Sequence, residues 1–167
     1  MKYRPLHERP TVDRLRELFT YDPHSGTLAW VVDRFKVRVG DAVRCVTPDG
    51  YLVVGIDGKR YYAHVVIWAI VTGEWSDGMI DHKNRIKSEN WWGNLREASD
   101  QQNRANSLKS RSNKVGLKGV IRFQGKFRAQ ITINRKTVWL GDVDCPAAAH
   151  FMYAVAADAA FGCFSRS

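Results

Sequence analysis

Asp81 and His82 stand side by side in the stretch MIDHKNRIKSENWWGNLREASDQQN (79–103), with Asn94 twelve residues after the histidine and Asn103 twenty-one after it. A neutral imidazole is well suited to accept a proton near neutral pH. Carboxylate and carboxamide oxygens are donors that suit a hard cation. The same residues also have plainer uses. An isolated Asp-His pair often marks a surface salt bridge, and a loop asparagine often marks a turn. Residue types and spacing alone leave both readings open, so the elements that carry these side chains have to be considered.

The segment reads as strand, long loop, strand, helix. MIDH is short and apolar at its start, KNRIKSENWWG is a polar loop, and NLREA returns as a second strand. Ser99 and Gln102 have capping-box spacing, which sets the start of a helix near Asp100. Asn103 then lies in its first turns, and Asn106 one turn on. Neighbouring residues of a regular strand face opposite ways, so Asp81 and His82 can serve one site only if the strand ends or bulges there.

Upstream, Thr11 can cap a helix over VDRLRELF, with YDPHSG stopping it. TLAWVV reads as a strand. YLVVGIDGKRYYAH reads as a hairpin, because Asp57-Gly58 readily supplies the positive φ angles of a type I′ turn. HVVIWAIVTG (64–73) is apolar throughout, and its length and closing Gly73 favour a helix. On it, His64 is expected to be a packed, hydrogen-bonded residue. Trp91 and Trp92 suit either stacking on bases or packing against the N-terminal region.

Downstream, residues 107–118 are rich in Ser, Lys, Asn and Gly and read as a basic linker. GVIRF, FRAQITI and KTVWLG then read as three strands with turns at Gln124-Gly125 and Asn134-Arg135. An Ala-rich helix runs from Pro146 to Gly162, with proline at its start and glycine at its end. Period-2 reading sends Ile121, Phe123, Phe127, Ala129, Ile131, Ile133, Val138 and Leu140 toward that helix. It sends Arg122, Arg128, Gln130, Thr132, Thr137 and Trp139 outward, onto a face expected to carry no acid. The expected class is α+β: 1–62, an N-terminal helix and β-rich region; 63–106, the central segment with its preceding helix; 107–118, the linker; 119–167, a three-stranded antiparallel sheet with one helix.

Charge is concentrated in one place. Of 26 Lys and Arg residues, ten fall between Gln101 and Leu140, where there is no Asp or Glu; the other sixteen are balanced by 17 acids. A basic stretch interleaved with Phe123, Phe127 and Trp139 suits a polyanion better than it suits mere solvation. Arg and Gln can read base edges, and Arg and Thr can hold phosphates. Lys126 and Arg135 belong to the same surface. Cys45, Cys145 and Cys163 are odd in number and never form C-x-x-C, which argues against a disulfide framework or a cysteine zinc site. No run approaches a membrane span and the N-terminus lacks a signal-peptide core, so the expected location is the cytoplasm, with no membrane partner.

With IDH, NLR and Asn103 in this order, the chain resembles HNH endonucleases of the ββα-metal type. More closely, it is similar to phage-encoded members that carry a C-terminal domain like the plant ethylene-response-factor DNA-binding fold. GYLVVGIDGKRYYAHVVIWAIVTGEW before the motif and GLKGVIRFQGKFRAQITINRKTVWLG after it match that layout, so the resemblance covers about residues 15–162. It implies that His82 is the general base, that Asp81 and Asn103 bind one divalent cation (Mg²⁺, with Mn²⁺ as the alternative), and that Asn94 braces the loop. Asn106 is an alternative ligand, and Arg85 and Arg96 are candidates for phosphate contacts. Many HNH nucleases add a zinc held by two C-x-x-C pairs; this chain has none, and no structural zinc is expected.

The resemblance further implies double-stranded DNA as partner, a bacterial host cytoplasm, and homing or nicking activity by a monomer or homodimer. The rival is a DNA-binding regulator with an inactive motif.

Overall fold

A computed structural model describes residues 9–110 and 112–165; His7 and Arg111 lie outside them. The chain divides into two compact units, Met1–Glu97 and Ala98–Ser167. Each mixes helices with small antiparallel sheets, the α+β class that the alternating periodicities indicate.

In the first unit, Thr11 caps α1 (Val12–Leu18), its side chain accepting from the Arg14 N–H at 3.2 Å. Phe19 does not finish this helix. It is extended, and it starts β1 (Phe19–Asp22), which pairs with β2 (Thr27–Trp30) in a hairpin that the sequence reading took only as a stop. Pairing Phe19 with Trp30 brings their rings to 4.4 Å, so aromatic packing outweighs the helical periodicity at that residue.

β3 (Val53–Ile56) and β4 (Lys59–Tyr62) form the Asp57-Gly58 hairpin, both turn residues having positive φ. α2 (Ala63–Thr72) follows at once and ends on Gly73, in the left-handed conformation. β5 (Met79–His82) and β6 (Leu95–Ala98) make a two-stranded sheet. Ile80 and Leu95 are buried in the cluster that holds Leu15, Phe19, Ile56, Val66 and Ile67. The strand that carries Asp81 and His82, and its partner β6, are thus anchored by apolar burial in the core of the unit.

In the second unit, α3 (Asp100–Asn106) begins with the Ser99–Gln102 capping box. Lys118 Nζ donates to the carbonyls of Ala105 and Ser107 at the end of this helix, where a cation is favoured. Val115 and Leu117 pack with Val120, Ala129 and Ala149. β7 (Val120–Phe123), β8 (Lys126–Ile133) and β9 (Lys136–Val143) form the three-stranded sheet. α4 (Pro146–Phe161) covers one face of it through Ala149, Tyr153 and Ala157. Pro146–Phe164 reaches the length and mean hydropathy (1.3) of a membrane span by composition, yet its buried residues belong to the packing of this sheet.

Two details of the sheet correct the face assignment. The two-residue turn pairs Phe123 with Lys126 and Ile121 with Arg128. Ile121 and Phe123 therefore share the outer face with Arg128, while Val120 and Arg122 lie on the helix side. There Arg122 stacks at 5.0 Å on Phe127. In addition, the β8–β9 register shifts between Ala129 and Gln130, a bulge that places Asp142 directly opposite Arg128. The outer face does contain an acid.

Candidate functional site

β5 ends at His82, and the loop that follows is tied back immediately: Lys83 N–H donates to the Asn94 carbonyl at 2.8 Å, and Arg85 N–H to the His82 carbonyl at 3.0 Å. Ending the strand here frees Asp81 and His82 from strict alternation, and both are buried. Asn94, wholly buried, ends the 3₁₀ turn Trp92–Asn94 and spans the loop. Its Oδ1 accepts from Asn84 N–H (3.0 Å), and its Nδ2 donates to Asn84 Oδ1 (3.0 Å) and to the Glu89 carbonyl (2.6 Å). Asn84 extends the brace by donating to Glu89 Oε2 at 2.6 Å and accepting from Ile86 N–H at 2.9 Å. A long polar loop needs such bonds, because its own backbone has no ladder to satisfy it.

His82 is 3% exposed. His64 meets it edge-on with ring centroids 4.8 Å apart, and Tyr51 lies at 6.1 Å. Burial pushes the His82 pKa below the ordinary histidine value, against the opposing pull of its bond to Asn90 and of the Asp81 charge. Its ring is therefore neutral at pH 7, the form that can take a proton. His64 is more enclosed still: burial, and then the charge on His82, push its pKa down to about 3. It packs as expected, but its Nδ1 has no hydrogen-bond partner among the described residues.

Asp81 accepts from Arg96 Nε (3.1 Å) and Nη2 (3.0 Å), both on Oδ2. Arg96 thus holds a buried carboxylate. Arg85, in the left-handed region at φ 67°, is exposed. Asn103 lies on α3, its N–H bonded to the Ser99 carbonyl, and Asn106 is buried at the end of that helix; both belong to the second compact unit. No group of three or more His, Cys, Asp or Glu residues gathers among the described residues. The donors named by the motif are a carboxylate and a carboxamide. Such a sparse oxygen set fits a hard cation that keeps several waters.

On the second unit, Arg128 makes a two-pronged pair with Asp142, at 2.8 Å from each oxygen. Its guanidinium lies 3.4 Å from the ring centroid of Phe123 and 4.8 Å from that of Trp139. The Asp142 pKa is accordingly held below the ordinary carboxylate value, by the Arg128 hydrogen bond above all. Trp139 is nonetheless 63% exposed. Gln130 pairs with Trp139 across the strands, and the Thr132 and Thr137 hydroxyls lie 3.3 Å apart on the same face. Lys126 reaches Asp144 only at 3.8 Å in an exposed pair, and Arg135 is exposed in its turn at φ 63°.

The sequence reading missed two contacts. Asn90 accepts from His82 and Arg96 binds Asp81, and neither stands out in a loop with several asparagines and a strand with one more arginine. Trp92 packs on Trp68 of α2, with ring centroids 5.1 Å apart.

The structure thus sets a buried neutral histidine at a strand end, next to a buried aspartate and followed by a braced polar loop and a second strand. Residues 61–105 match the family model described as HNH endonuclease. This similarity supports a nuclease at the level of the family, and it implies DNA as the substrate and a divalent metal in the reaction. No curated protein and no solved structure matches the chain.

Proposed function

We propose that the protein is a metal-dependent DNA endonuclease of homing or nicking type that hydrolyses one phosphodiester bond per encounter with double-stranded DNA. The observation that carries this reading is His82: buried, held neutral, and bonded through Nε2 inside the segment similar to HNH endonucleases.

His82 takes the proton of the attacking water as the new P–O bond forms and the P–O3′ bond breaks. The products are a 5′-phosphate and a 3′-hydroxyl. Asp81 and Asn103 are the residues assigned to one divalent ion, with Mg²⁺ preferred over Mn²⁺ because both donors are oxygen. When bound, such an ion neutralises charge on the phosphate and on the departing 3′ oxygen. Asn94 keeps the loop between the strands in shape, and the outer sheet face (Arg128, Gln130, Trp139, with Lys126 and Arg135 at its margins) binds the duplex; Arg122, on the helix side, falls outside that face. Arg85 is exposed and suits a phosphate contact, whereas Arg96 serves Asp81. A monomer nicks; a homodimer or a second visit gives double-strand cleavage. The setting that goes with this reading is a phage-encoded enzyme in the bacterial cytoplasm.

A DNA-binding regulator with an inactive motif is the second reading, favoured by one observation: Arg96 already occupies the Asp81 carboxylate. Supercoiled plasmid incubated with protein and Mg²⁺ separates the two. Nicking that EDTA abolishes, and that His82→Ala lowers by about 10²–10⁴-fold while DNA binding persists, supports the enzyme. Undiminished cleavage by His82→Ala rejects the assignment of the base, and a wild type that binds but never nicks rejects the enzyme.

A further inference from the structure

Asn90 has no part in the mechanism above, yet its side chain is 1% exposed and its Oδ1 lies 2.8 Å from His82 Nε2. The main chain around it is clamped from a distant part of the sequence. The Asn90 carbonyl accepts from the Tyr21 hydroxyl at 2.8 Å, and Trp92 N–H donates to the Pro23 carbonyl at 2.9 Å. The turn between β1 and β2 comes so close that a Cβ on Gly26 would stand 2.3 Å from the Trp91 nitrogen and 2.6 Å from the Asn90 carbonyl carbon. Gly26 also sits at φ +75°, where a side chain would be strained. The first hairpin, 69 residues away in sequence at the Tyr21–Asn90 bond, therefore fixes the backbone that presents Asn90.

An amide oxygen only accepts, so the placement of Oδ1 against Nε2 requires the ring proton on Nε2 and leaves Nδ1 unprotonated in the neutral ring. The Asn90 Nδ2, also buried, has no hydrogen-bond partner among the described residues. A buried donor left unmatched is a cost to folding, and an apolar side chain would avoid it. The residue is thus poorly justified by stability and well placed for the histidine.

We infer that Asn90 is a positioning residue for the reaction: its side-chain oxygen fixes the His82 ring and its Nε2–H tautomer, and the Pro23–Gly26 turn holds Asn90 in place. This rests on the nuclease reading for its catalytic meaning, but the tautomer itself can be measured without any activity. Long-range proton–nitrogen correlation spectra of histidine-labelled wild type, with His82 assigned by its loss in His82→Ala, should show a protonated Nε2 and an unprotonated Nδ1 at neutral pH. Asn90→Leu should mix the two tautomers and lower the kcat for plasmid nicking by about ten- to a hundredfold, the scale seen when a partner that orients a reacting ring is removed, with KM unchanged. Asn90→Asp, which keeps an accepting oxygen, should restore the tautomer and most of kcat.

A ring proton found on Nδ1 of the wild type overturns the inference, and that measurement stands even if Asn90→Leu does not fold. So does a wild-type kcat in Asn90→Leu under conditions where His82→Ala is inactive. A wild type that nicks no plasmid sinks the nuclease reading instead, and the spectrum then decides the contact alone.

Discussion

Arg96 and Arg128 each hold an aspartate through two N–H groups, but their side chains are 11% and 21% exposed, and those of their partners Asp81 and Asp142 are 7% and 23%. The difference sets what each pair can do. The first lies among buried strands with His82, Asn90 and Asn94, where taking charges out of water is expensive and each must be matched. The second lies on an outer face, stacked between Phe123 and Trp139, where water screens it and a phosphate can compete for the guanidinium. A chain built for hydrolysis on a polyanion needs both: a fixed polar interior that keeps reacting groups in place, and a charged exterior that can exchange partners.

The most forceful way to break this comparison is to remove each arginine. Arg96→Met strands the buried Asp81 carboxylate without its guanidinium and should cost about 3–5 kcal/mol, read as a lowered urea midpoint. Arg128→Met should barely move the midpoint, and equal losses from the two would show that burial is not what separates them. Asn94→Ala removes a wholly buried amide that bonds Asn84 and Glu89, and should cost about 1–3 kcal/mol. Wild-type stability in that variant would mean the loop does not depend on its brace.

Acid sharpens the contrast next. Unfolded histidine binds a proton near pH 6.5, whereas folded His64 resists until about 3, and His82 is shifted the same way. The unfolded chain therefore holds more protons in this window. Stability should fall as pH drops from about 6.5 toward 3, with a limiting slope of about 1.4 kcal/mol per pH unit per group. His64→Phe should lose less between pH 7 and pH 5 in urea titrations; an identical loss would place the acid sensitivity elsewhere.

The smallest effects concern the exterior. Arg135→Ala should flatten the salt dependence of DNA binding by roughly one unit, as expected for one phosphate contact. Because Asp142 already balances its charge, Arg128→Ala should flatten it less, and Asp142→Asn should tighten binding. Equal slopes for wild type and Arg135→Ala would remove that residue from the DNA surface.

Much of the local structure was legible because short-range chemistry decides it. Asp57-Gly58 and Gln124-Gly125 dictate two-residue turns, Ser99 and Gln102 cap α3, and Gly73 closes α2. The face of β7 was legible in principle too, since a two-residue turn that pairs Phe123 with Lys126 fixes every later pair; the apolar pattern of Ile121 and Phe123 misled because an arginine, not a core, covers Phe123. The β1 strand was hidden because Phe19 continues the helical spacing of Leu15 and Leu18 and is claimed instead by Trp30.

By itself the sequence determined which residue types are available, the order of strand, loop, strand and helix around Asp81 and His82, and the basic character of the C-terminal sheet. Only the tertiary structure decided which asparagine meets His82, which arginine neutralises Asp81, and that Asp142 interrupts the basic face. Turns and caps are written in neighbouring residues, whereas partners are chosen by burial and register, which bring together side chains such as Tyr21 and Asn90 that nothing in the linear order connects.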